Sequence, residues 1–192
     1  VHTVDSINID VTARAAGRID NNGVVFVGDS TRGSVSLSVF GSDTSLVVNN
    51  DVFVDARVIA GVTPAPVEET VSVTVTDTGM GTGSGLTIGR DLDINAGVSG
   101  GQLGSPHVGG SVSVEANNGN LFTDGIFISS AAGNSPFSAR SATEATDFQG
   151  GDISIIATNG GGISSTGFSS ISSTGQGQAE ESASDVGIGQ GG

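Results

Sequence analysis

Residues 150–161 read GGDISIIATNGG. Glycine pairs flank the stretch, and between them Ile153, Ile155 and Ala157 alternate with Asp152, Ser154 and Ile156. Alternation of period two marks a strand with one face buried; a helix would place its apolar residues three and four apart. One position breaks the pattern, because Ile156 stands where a polar residue belongs. If the glycines cradle a phosphate, the chain does chemistry; if they close turns, it builds something.

The same pattern recurs along the chain. SVSVEANN begins at Ser111 and DISIIATN at Asp152, a spacing of 41 residues, and TVSVTVTD begins at Thr70, another 41 earlier. SVSLSVFG from Ser34 and SINIDVTA from Ser6 precede them at spacings of 36 and 28. Aligned on these starts, the second position is Ile7, Val35, Val71, Val112, Ile153 and the fourth is Ile9, Leu37, Val73, Val114, Ile155. The sixth is Val11, Val39, Val75, Ala116, Ala157, and the positions between are polar except at Ile156. Branched residues on one face and small polar ones on the other fit half-buried strands.

Two further short strands are expected in each unit: SLVV (45–48) and DVFVDA (51–56), GLTI (85–88) and DLDINA (91–96), NLFT (120–123) and IFISSA (126–131), GISST (162–166) and FSSIS (168–172). The first unit is compressed and ends in VVFVG (24–28). Asp77, Asn118 and Asn159 share one turn position, where stacked side chains would satisfy turn backbone groups as a ladder. Three short strands per unit and no helical period predict an all-β, parallel β-helix (β-solenoid) forming a single domain. About five coils are expected, at 6–33, 34–69, 70–110, 111–151 and 152–192, making a rod roughly 24 Å long. A β-sandwich also has many short strands but does not require one side-chain pattern in register every 41 residues. Unit length varies after the third strand, so variable loops should emerge along one edge; short helices are conceivable only there, in SARSATEA (138–145) or QAEESAS (178–184).

GGSVSVEANNGNLFTDGIFISSAAG and GGDISIIATNGGGISSTGFSSISSTG together resemble the repeats of filamentous haemagglutinin-like exoproteins of the two-partner secretion type, as in cyanobacterial surface proteins. The shared pattern is Gly-Gly, an alternating strand, Asn-Gly, a second strand, Gly, then a Ser-rich third strand. It covers residues 70–192 well and 6–69 more weakly. The resemblance implies a right-handed β-helix, secretion through a partner pore, and a place in a long fibre at the cell surface. The family's N-terminal secretion domain is not recognisable in the sequence.

Charge narrows the partners. Twenty acidic residues against six arginines and no lysine give a net charge of −14, which repels nucleic acid and anionic membranes. The absence of cysteine excludes disulfides and thiolate metal sites. No run approaches the ~18–20 apolar residues of a membrane span, and no stretch has the pattern of a signal peptide. The sequence starts at Val1 rather than Met, the mark of a processed chain or a fragment.

Chemistry finds few footholds. GIGQGG (187–192) matches G-x-G-x-x-G but has no following helix to receive a pyrophosphate; TGMGTGSG (78–85) has the wrong spacing, and without lysine there is no Walker motif. Asp91 with Asp93, or Asp51 with Asp55, could supply the paired carboxylates of a polysaccharide-cleaving β-helix, though outward aspartates also simply solubilise a strand. His2 and His107 stand alone and are expected in exposed loops rather than as metal ligands, and QAEES (178–182) is expected as a solvated loop. No catalytic, cofactor-binding or metal residues are therefore assigned and no cofactor is expected; calcium at acidic turns is the one candidate ion, although the calcium-roll nonapeptide does not recur.

The expected function is a structural segment or subunit of an extracellular, cell-surface filament or adhesin, with a carbohydrate-active β-helix enzyme as the alternative. The last unit runs to its Gly-Gly boundary with no amphipathic cap, so partners are expected to be further repeats or other copies, stacked head to tail or packed in a filament, together with other cell surfaces or glycans. Ile156 is expected either to lie under an edge loop or a neighbouring chain, marking a lateral contact, or to be freely exposed as single surface apolar residues often are.

Overall fold

The computed structural model describes residues 6–13, 17–21, 25–28, 34–56, 58–60, 70–80, 83–100, 107–133, 148–175 and 189–190. All secondary structure within them is β-strand. The first unit contributes β1 (Ser6–Ala13), β2 (Gly17–Asn21) and β3 (Val25–Gly28). The second contributes β4 (Ser34–Gly41), β5 (Thr44–Val48), β6 (Val52–Asp55) and β7 (Val58–Ala60). In the third lie β8 (Thr70–Asp77), β9 (Gly85–Ile88), β10 (Asp91–Asn95), β11 (Val98–Gly100) and β12 (His107–Val108). The fourth holds β13 (Ser111–Asn117), β14 (Asn120–Thr123), β15 (Gly125–Ser129), β16 (Ala132–Gly133) and β17 (Phe148–Gln149). The fifth holds β18 (Ile153–Thr158), β19 (Gly162–Ser165), β20 (Ser170–Ser172) and β21 (Gly189–Gln190).

Equivalent strands of successive units pair in parallel, giving three five-stranded sheets: β1-β4-β8-β13-β18, β2-β5-β9-β14-β19 and β3-β6-β10-β15-β20. The register is the one the repeat predicts, with Val35 on Val71, Val71 on Val112 and Val112 on Ile153. Two three-stranded sheets, β7-β11-β16 and β12-β17-β21, lie in segments expected to be variable loops. The reason is local: immediately after the third strand, and again just before the next unit, the chain still follows its neighbour in register. The candidate helices at 138–145 and 178–184 lie outside the described residues.

Inward-facing residues stack on their own kind. Leu37, Val73 and Val114 make one column of the first sheet, Leu46, Leu86 and Leu121 one of the second, and Val54, Ile94 and Ile128 one of the third; all are buried. Burying each such side chain stabilises the fold by about 1.5–3 kcal/mol. No unit could achieve this alone, since each column residue is covered from above and below by other units.

The glycine pairs close turns. Asn159 and Gly160 both have positive φ (52° and 85°), and Gly161 N–H donates to Thr158 O at 2.8 Å, the geometry of a tight turn with two left-handed residues. At the other boundary, Gly151 packs on the carbonyls of Gly109 and Gly110 so closely that no Cβ fits. Ser130, buried, donates from Oγ to Gly110 O, and Ser173 repeats that bond one unit later to Gly151 O.

Candidate functional site

The glycine-rich loop after β8 does cradle an anion, and the anion is the chain's own. Asp77 is buried, and its carboxylate accepts from Gly79 N–H at 2.7 Å and from Ser84 N–H at 2.9 Å. Burial raises its pKa, but the backbone N–H groups of Ser84, Gly79, Gly83 and Asp43 outweigh that and hold it below the ordinary carboxylate value. Ser84 extends the arrangement across units: its Oγ donates to Gly41 O at 2.9 Å and accepts from Thr44 N–H at 3.0 Å, while its carbonyl accepts from Asn120 N–H at 3.0 Å. The donors a phosphate would need are therefore already engaged.

The expected ladder of Asp77, Asn118 and Asn159 is irregular. Asn118 Nδ2 donates to the carbonyls of Asp77 (3.3 Å) and Gly79 (3.1 Å), as a turn-satisfying side chain should. Asn159 Nδ2 instead reaches Asn117 Oδ1 at 2.8 Å. Of the three, Asn118 and Asn159 are left-handed, with φ of 54° and 52°, and Asp77 is not. Equivalent positions thus do different work because Asp77 is captured by its own loop.

The candidate carboxylates share the outer face of the third sheet, but Asp51 and Asp55 stand at opposite ends of β6. Asp51 lies beside Asp91, whose N–H donates to its Oδ1 at 3.3 Å, and Asp93 follows two residues along the same strand. Asp55 sits at the far end of β6, in register with Asn95. Phe53, Asp93 and Phe127 form one row between them, and Phe168 packs against Phe127 with ring centroids 6.0 Å apart. The aromatic members escape a carboxylate search; aligning the third strands as VFV, VFV, LDI and IFI exposes them. Among the described residues, no group of three or more His, Cys, Asp or Glu side chains is placed to hold a metal ion.

The other candidates separate. His107 falls in β12, in register with Phe148 rather than near the carboxylates. In GIGQGG, Gly189 and Gln190 form β21, a strand and not the start of a helix. His2 and QAEES (178–182) lie outside the described residues. Ile156 faces outward beside Glu115 and is 48% exposed, so no edge loop among the described residues covers it.

At β18 and β20 the core columns run out. Ile155 continues the column of Val114 and Ile171 that of Ile128, yet they are 37% and 53% exposed, because no further strand among the described residues lies on them. Within those residues no helix is long and apolar enough to cross a membrane. No protein-family model, curated protein or solved structure matches the chain.

Proposed function

We propose that the chain is a right-handed parallel β-helix of about five coils, at 6–33, 34–69, 70–110, 111–151 and 152–192, and that it serves as a structural segment or subunit of an extracellular surface filament or adhesin. Parallel crossovers between strands of one sheet are right-handed in nearly all proteins, which supports the handedness. The resemblance to filamentous haemagglutinin-like repeats supports the cell-surface setting.

The observation that carries the reading is the end of the core, which no strand among the described residues covers. Ile155 and Ile171 lie on columns whose preceding members, Val114 and Ile128, are buried, and β18, β19 and β20 each stand at the edge of a sheet. Another coil, from further repeats or from a second copy, would cover those side chains and pair those edges in the register already present. A contact of this head-to-tail kind does not close on itself and so builds a fibre. Its test is the double variant Ile155→Lys, Ile171→Lys: end-to-end association, followed by sedimentation against concentration, should disappear while the thermal midpoint of the single chain is kept. Association unchanged by the charges would refute the edge.

A second reading, a carbohydrate-active β-helix enzyme, is favoured by the grouping of Asp51, Asp91 and Asp93 on one outer face beside Phe127. It requires turnover of a polysaccharide that Asp91→Asn and Asp93→Asn abolish. Filament formation without turnover leaves the structural reading standing.

A further inference from the structure

The outer face of the third sheet has a composition unlike a merely solvated surface. Its middle row runs Phe53, Asp93, Phe127, Ser170, one residue from each of the second to fifth units, in register. Phe53 lies between the buried Val52 and Val54, and Phe127 between Ile126 and Ile128, so both rings point away from the core and are partly exposed. Phe168 beside Phe127 is 76% exposed. A Cβ at Gly125 would come within 2.6 Å of the Asp91 carboxylate and 2.8 Å of the Phe127 ring edge. Glycine there leaves room for the Asp91 carboxylate, the Phe127 ring edge and the Phe168 carbonyl to close on the same spot. Asp93 lies in register between Phe53 and Phe127, Asp91 two residues before it on the same strand, and Asp51 and Asp55 two residues to either side of Phe53.

We propose that this face binds a linear polysaccharide carrying no negative charge, laid along the stack across the strands. Three physical features select that ligand. Aromatic rings take the apolar C–H face of a sugar, while carboxylates accept its hydroxyls. Strands repeat every ~4.8 Å, close to the length of one sugar in an extended β-1,4-linked chain, so each strand meets one sugar. In such a chain alternate sugars turn the same face to one side; Phe53 and Phe127 stand two strands apart, with Asp93 on the strand between. The four aspartates and the net charge of −14 exclude uronate and sulfated polymers. The site depends on the register of the third sheet and not on end-to-end stacking.

Titration calorimetry with β-1,4-linked hexamers of glucose and of N-acetylglucosamine tests it, with a hexagalacturonate as the anionic probe and hexalysine as a basic peptide. A neutral hexamer should bind and hexagalacturonate should not. Phe53→Leu and Phe127→Leu, which keep apolar bulk but remove the ring face, should each weaken binding about tenfold. Phe122→Leu, exposed on the second sheet, should leave it unchanged. Failure of both neutral hexamers to bind, equal binding of hexagalacturonate, or equal losses from Phe122→Leu and Phe53→Leu would each overturn the proposal. So would tight hexalysine binding lost on Asp93→Asn but kept in Phe127→Leu, which would assign the face to a basic peptide.

Discussion

Single residues decide whether this stack is tied together by more than apolar contact. Asp77 is the sharpest case, because both oxygens of its buried carboxylate accept N–H groups, and no neutral side chain of the same shape accepts at both positions. In Asp77→Asn, an NH₂ group would face those donors, and the substitution should cost about 1–3 kcal/mol in urea unfolding. The pH dependence follows in sign from the lowered pKa. The carboxylate's contribution is full above the ordinary value of 3.8 and is lost as pH falls below it toward the folded-state value. The stability gap between wild type and Asp77→Asn should therefore be constant near neutrality and narrow under acid; a gap that widens under acid would mean the loop does not hold the charged form. Ile156 is the opposite case. At 48% exposure its change to Thr should leave the single chain's stability unaltered, and only a loss of lateral association would give it a role.

Strands differ in how much their inward residues matter, according to how well neighbouring units cover them. Leu92, in β10 at the middle of the third sheet, is fully buried; Leu92→Ala should cost about 2–5 kcal/mol. Ile171→Ala, at the edge of the same sheet, should cost under ~1 kcal/mol, since most of its area is already in water. Thermal or urea unfolding of the two variants checks that gradient, and equal costs would mean the end of the stack is covered. The strands themselves were legible in the sequence, because one unpaired period-two pattern is ambiguous but five aligned ones are not. Ser84 and Ser130 were not legible: each is buried for a backbone carbonyl in another unit, and nothing in a Ser-rich stretch marks such a residue. The loop around Asp77 was hidden for a related reason, since glycine content alone does not tell whose anion the N–H groups will hold. The short sheets β7-β11-β16 and β12-β17-β21 escaped because their two- and three-residue strands are too brief to show a period.

Across the whole molecule, pairing between units 28 to 41 residues apart makes every sheet depend on the next unit, and a net charge of −14 pushes those units and any second copy apart. Salt screens that repulsion, so both thermal stability and end-to-end association should rise with ionic strength. Ile155 and Ile171, exposed among the described residues, and the sheet edges formed there by β18, β19 and β20 mark where association would occur. Electron microscopy with diffraction from concentrated, salt-screened protein tests this most directly. End-to-end stacking predicts unbranched rods with a spacing of ~4.8 Å along their axis, absent from the Ile155→Lys, Ile171→Lys variant. Single particles at every concentration, or rods whose ~4.8 Å spacing runs across the axis, would contradict it.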